Sequence, residues 1–173
     1  MYRIADGTEG SNFAFALDVD ANDGNVGSII AFSGVDITTG YDAAGNANSG
    51  PFDAVLGDLN IQTNSSSSIT AASISTNTAN AAVIMLTQLA DNLSFGSWST
   101  TSPEALTTEL YDNNVNSAAA VGSAWRNKAP TGATGSGTAT SSSNVRGRGA
   151  ILIALRMKPA YQAQFISMST GSS

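Results

Sequence analysis

Histidine and cysteine are both absent from the chain. Without cysteine there are no disulfides, no thiolate zinc sites and no thiol nucleophile. Without histidine there is no Ser-His-Asp or Cys-His arrangement, no His-ligated metal and no imidazole base working near neutral pH. These two gaps close most hydrolase mechanisms, so the expectation is a non-enzyme with no cofactor. Charge is also scarce, at 12% of residues, with thirteen acidic side chains against seven basic ones. A nucleic-acid binder needs a basic stripe to displace counterions from phosphate, and the few Arg and Lys of a chain with net charge −6 are too scattered to form one. Long apolar runs are missing too: residues 81–86 and 150–155 are the longest, far short of the roughly 20 that span a bilayer. The opening Met1-Tyr2-Arg3-Ile4-Ala5-Asp6 has acid early and no apolar core, unlike a signal peptide, and a soluble protein is expected.

What is present is Ser, Thr, Asn and 17 Gly, a mixture that solvates a sheet surface by hydrogen bonding rather than by charge. The 42% of apolar residues suffices for a core and argues against disorder. At 173 residues the chain fits one domain, burying roughly 70% of its unfolded surface without covalent staples.

Phe13, Phe15, Leu17 and Val19 recur at period two and predict a strand with these side chains on one face. Asp20-Ala21-Asn22-Asp23-Gly24-Asn25 supplies a turn, and residues 26–32 read as the returning strand of a hairpin. Residues 33–52 are Gly-rich with few bulky apolar side chains, which predicts a long surface connection. Strands are expected within 55–61 and 69–74, separated by Asn64 and a serine run. Residues 81–90 read either as a helix or as a buried central strand. Trp98 lies in a Ser/Thr-rich stretch ending at Pro103. Further strands are expected at 106–111, 118–125, 134–141 and 149–157. Short strands at this spacing predict an all-β fold, an antiparallel β-sandwich of jelly-roll type, over residues 1–158. Residues 159–173, with Tyr161, Ala163 and Phe165 on one side after Pro159, read either as an appended arm making contacts outside its own core or as a last sandwich strand. The expected core includes Phe13, Phe15, Leu17, Ile30, Phe32, Ile151, Ile153 and Leu155.

Four stretches taken in order resemble a Gly/Ser/Thr-rich β-domain of bacteriophage and prophage structural proteins, including head decoration and tail proteins. They are residues 2–10, beginning Tyr2-Arg3-Ile4-Ala5-Asp6-Gly7; Ile30-Ala31-Phe32-Ser33-Gly34-Val35-Asp36; Trp98 through 106–112; and 132–140 leading into Gly149-Ala150-Ile151-Leu152-Ile153-Ala154-Leu155-Arg156. In domains of this look one or two strands precede the Tyr2-Arg3 segment, and here the missing edge is expected either from a later start of the reading frame or from another subunit. The resemblance implies a virion structural role on the particle exterior, other virion proteins (major capsid or tail proteins) as partners, a homo-oligomer, and no catalytic residues. The rival reading is a carbohydrate-binding or adhesin module of a phage tail or bacterial surface protein, with a glycan as partner.

The candidate sites each have a plainer reading. Asp18-Val19-Asp20-Ala21-Asn22-Asp23-Gly24 resembles a calcium loop, but Asp23 stands where an EF-hand needs Gly and Ile29 where it needs Glu, so an Asx-rich turn is preferred. Glu104 and Glu109 are the one carboxylate pair on offer for glycoside hydrolysis, yet alternation puts them on opposite faces and surface solvation is preferred. Trp98, Tyr111 and Trp125 fit either an aromatic platform for sugar rings or, preferably, a core or subunit interface. Arg146-Gly147-Arg148-Gly149 reads as pairing with carboxylates or capping a sheet edge rather than as a nucleic-acid motif. Residues 132–137 match neither the dinucleotide nor the phosphate-loop pattern. No metal ligand set is expected.

Overall fold

Residues 81–89 carry an unbroken apolar run, Ala-Ala-Val-Ile-Met-Leu followed by Thr-Gln-Leu, and a strand with apolar side chains on both faces belongs in the middle of a sheet covered on both sides. The computed structural model, which describes residues 2–10, 12, 26–100, 105–115 and 119–159, places it there. The strands among these residues are β1 (Gly40–Tyr41), β2 (Ala47–Gly50), β3 (Asn60–Gln62), β4 (Ser66–Ala71), β5 (Ser75–Thr76), β6 (Ala81–Leu89), β7 (Phe95–Thr100), β8 (Thr108–Val115), β9 (Ala119–Lys128), β10 (Gly132–Ala133), β11 (Gly137–Val145) and β12 (Arg148–Leu155). A five-stranded sheet runs β3-β12-β6-β9-β8 and a three-stranded sheet runs β4-β11-β7, with the short pairs β1-β2 and β5-β10 beside them. All pairings are antiparallel and no described residue is helical, so the chain is an all-β sandwich.

Strand register assigns every side chain of the larger sheet to a face. Met85 lies opposite Leu152 on one side and Ala124 on the other, which puts Ala81, Val83, Leu89, Ala120, Ala150 and Ala154 on the same inner face. That face packs on Ile69 and Ala71 of β4, Phe95 and Trp98 of β7, and Ala139 and Val145 of β11 to form the hydrophobic core. Phe95 and Trp98 stack with centroids 5.6 Å apart, an arrangement that contributes about 0.5–1.5 kcal/mol beyond burial. The Phe95 ring lies so close to Gly122 that a Cβ there would sit 2.6 Å from a ring carbon, which is why glycine stands in the middle of β9.

Three expectations are corrected. Ile151, Ile153 and Leu155 are half-buried on the outer face, and the core side of β12 is Ala150, Leu152 and Ala154. Bulk misleads here because both faces of the sheet carry apolar side chains and the opposing layer decides which set is buried. Residues 26–32 form no strand; Ile30 and Phe32 are half-buried in an extended segment crossing the outer face, where alternation arises without ladder bonds. Residues 33–52 are more than a surface connection, since they include β1 and β2 and lead into the buried Phe52, Asp53 and Ala54. Of residues 55–61, only Asn60 and Ile61 are in a strand. Phe13, Phe15 and Leu17, the calcium-like residues 18–24, Glu104 and the terminal segment 160–173 lie outside the described residues.

Both lateral sides of the sandwich are joined by side chains. On one side, Asn60 and Gln62 of β3 reach across to β4: the Asn60 amide donates to the Thr70 carbonyl at 2.7 Å, and the Thr70 N–H donates to Gln62 Oε1 at 3.1 Å. On the other side, Asp112 of β8 accepts from the Phe95 N–H of β7 at 2.9 Å, and Glu109 accepts from the Trp98 indole at 2.7 Å. Ser99 of β7 is also bridged by Ala105. Thr70, Phe95 and Ser99 on the rims of the smaller sheet are therefore engaged without a further strand.

Candidate functional site

The three aromatic residues suggested as a platform are on different faces. Trp98 is buried inside the sandwich, whereas Trp125 is half-buried on the outer face of the larger sheet. There the ring of Phe32 meets it edge-on, with centroids 5.3 Å apart. Tyr111 shares that outer face but stands at the β8 rim, half-buried. Burial pushes its phenol above the ordinary tyrosine pKa. Glu109, half of the suggested carboxylate pair, spends its charge on the Trp98 indole.

Successive rows across the outer face follow from the register. One row runs Ile153, Ile84, Trp125 and Thr108; the next runs Ile151, Leu86, Ser123 and Tyr111; the third runs Ile61, Gly149, Gln88, Val121 and Asn113. The segment leading to Val35 crosses this face diagonally. Ser28 accepts from the Asn113 amide at 2.6 Å, Phe32 covers Trp125, and Val35 bridges Met157 beyond the end of β12. At the same end of β12, Phe52 bridges Leu155 and packs edge-on with Tyr2. Among the described residues the cover is incomplete, and the even-numbered residues of β6 trace its limit: Ala82 and Ile84 are buried, Leu86 half-buried and Gln88 exposed.

The uncovered half holds an open groove of about 300 Å3 lined by Ser28, Leu59, Leu86, Gln88, Tyr111, Val121 and Ile151 among others, with no charged residue among the described lining. Beside it, Ile61 is 68% exposed and Leu59 45%, two aliphatic side chains on the same side of β3 and its lead-in. Such a neutral, largely apolar surface on a sheet face is suited to burial against another surface. Among the described residues no cluster of acidic side chains is arranged to hold a metal ion.

Three polar features stand out, of which the sequence suggested only the Arg148 cap, without its partners. Asp53 is fully buried and accepts from the Asn77 N–H at 2.6 Å, the Thr78 N–H at 3.0 Å and the Thr78 hydroxyl, so it fastens residues 51–53 to the turn before β6. Its flanking apolar residues, Phe52, Ala54 and Val55, were the signal available. Arg148 is also buried, and of the two readings for the Arg146-Gly147-Arg148 cluster its side chain takes the capping one. It donates to the carbonyls of Asn64, Ser66 and Val145 and to Asn64 Oδ1, closing the end of the sandwich where β4 begins and β11 ends. The amides of Asn60 and Gln62 form the third feature. In comparisons with known proteins, the chain matches no family model, no curated sequence and no solved structure.

Proposed function

We propose that this chain is a non-enzymatic structural protein of a phage particle, a head decoration (cement) protein or a tail component, working on the exterior through protein-protein contacts. The observation that carries the reading is the uncovered half of the outer sheet face, where Leu59, Ile61, Leu86, Val121 and Ile151 are offered on a rigid sheet with no charge among the described groove residues. Adhesion by such a surface buries apolar area and makes or breaks no covalent bond. The absence of histidine and cysteine and the order of the Gly/Ser/Thr-rich stretches support the same reading. Purified particles from a producing strain test it: the chain is expected in them at a fixed ratio to the major capsid or tail protein, at regular positions under antibody labelling. Its absence from intact particles would overturn the assignment.

A second reading, a glycan-binding module, is favoured by one feature, the half-buried Tyr111 beside the Gln88 amide in a groove large enough for a sugar ring. Glycan-array binding that disappears in Tyr111→Ala would establish it, and an empty array would remove it.

A further inference from the structure

We propose that residues 26–33 are a displaceable strap: hinged at Gly34, they lift from the outer face while the sandwich stays folded, and so control whether the Trp125 half of that face is covered. The strap is a property of this chain's own fold and does not depend on the virion reading.

The first support is the contrast between the hinge and the segment before it. At residues 34–36 the chain is clamped beyond the end of β12. The Lys158 N–H donates to the Gly34 carbonyl and the Asp36 N–H to the Arg156 carbonyl, both at 2.8 Å, with Val35 bridged to Met157 between them. Gly34 has a φ of +73°, a left-handed conformation in which glycine turns the chain without strain. From Val26 to Ser33, by contrast, no backbone N–H or carbonyl pairs with another described residue. Two side-chain contacts tie this stretch to the sheet. The Asn113 amide donates to the Ser28 hydroxyl at 2.6 Å, and the Phe32 ring meets Trp125 edge-on.

The second support is how little is broken when the segment leaves. Gly27, Ser28, Ile29, Ala31 and Ser33 are exposed, so their backbone groups meet water already, and only Val26, Ile30 and Phe32 are half-buried. The sheet beneath is held differently: β6 is laddered to β9 on one side and to β12 on the other along its length. A segment with a solvated backbone and few buried apolar contacts opens separately from the global unfolding.

The third support is what lies underneath. Ile84 faces outward in the row with Ile153 and Trp125, which the strap crosses, and it is only 2% exposed. Lifting the strap joins this row to Leu86, Val121 and Ile151 in the groove and lengthens the apolar stretch along the sheet. The strap thus sets how much apolar face the chain presents.

Thiol labelling under native conditions tests this, because the natural chain has no cysteine. Ile84→Cys puts a thiol under the strap, and Met85→Cys puts one on the sealed inner face of the same strand. The Ile84→Cys thiol should react at least about a hundredfold faster, with little dependence on denaturant, because local opening exposes little surface. Asn113→Ala removes the hydrogen bond to Ser28 and should speed that reaction about threefold to tenfold while leaving the Met85→Cys thiol unchanged. A second measurement needs no cysteine. Trp98 is buried, so acrylamide quenching of the full chain reports on Trp125, and both Asn113→Ala and Phe32→Ala should increase it. Equal rates and equal denaturant dependence for the two thiols would overturn the strap, as would labelling and quenching that ignore Asn113→Ala. Should a cysteine variant fail to fold, the quenching result decides alone.

Discussion

The two faces of the five-stranded sheet are built from the same strands and are nearly equally apolar, yet they differ in what they can do. On the inner face Met85, Ala124 and Leu152 are sealed under the smaller sheet. On the outer face Leu86, Val121 and Ile151 are only half-buried, because the segment from Ser28 to Val35 crosses part of the face and leaves the rest open. Hydrophobicity therefore does not separate structural from interacting residues in this chain. What separates them is the layer opposite.

Truncating the sealed face should have the largest effect. Leu152→Ala, with Gly137 packed against the leucine and little room to collapse, should cost about 2–5 kcal/mol in denaturant unfolding. A loss under about 1 kcal/mol would mean the inner layer is not the core.

Asp53→Ala should come next. It removes the buried acceptor of the Asn77 and Thr78 N–H groups in a partly exposed turn, and about 1–2 kcal/mol of stability should go. The readout that identifies the cause is hydrogen exchange: the Asn77 and Thr78 amides should lose protection while those of β6 and β9 keep theirs under conditions where the protein remains folded. Unchanged protection at 77 and 78 would show that the carboxylate does not hold this turn.

Ile151→Ala removes a half-buried side chain one residue from Leu152 and should cost only about 1 kcal/mol. The ratio between these neighbours is the sharpest form of the comparison, and equal losses would abolish the distinction between the faces.

The smallest effect concerns acid. Hydrogen bonds from the Thr39 hydroxyl and then the Thr38 N–H hold Asp36 well below the ordinary carboxylate range, and the Asn46 side chain and N–H lower Asp42 in the same way. A carboxylate depressed in the folded state contributes stability that is fully present above its unfolded value, near 3.8, and is lost as pH falls through the folded value. Both carboxylates are solvent-exposed, so the change should be local. In an NMR titration the amides of Thr38, Thr39, Ala44 and Asn46 should move with midpoints below 3.8 while the β6 amides stay still. Midpoints at or above that value would show that these turns are not held by their aspartates.

Much of the fold was legible and little of the site was. The apolar run within residues 81–90 read either as a helix or as a buried central strand, and its β-like neighbours pointed to the strand that forms at Ala81–Leu89; the last apolar run was clear as a strand. Its facing was not clear, since Ile151, Ile153 and Leu155 alternate with Ala150, Leu152 and Ala154 and both sets are apolar. The segment 26–32 alternates like a strand because an extended chain lying on a sheet meets the same two-sided environment. The polar contacts were out of reach for a different reason. Asp53 finds its donors 24 and 25 residues away and Arg148 finds Asn64 84 residues away, distances over which local patterning carries no information.

By itself, then, the amino-acid sequence determined that this chain folds as short strands into an all-β sandwich, because period-two and continuous apolar runs between Gly, Asn and Ser breaks permit little else. It also determined that no imidazole or thiol chemistry is available, because histidine and cysteine are absent. Only the tertiary structure decided which apolar face became core and which was left partly open, because burial is a property of the opposing layer and not of the strand. The pairing of Thr70 with Asn60 and Gln62 and of Phe95 with Asp112 arises where separate segments meet in space.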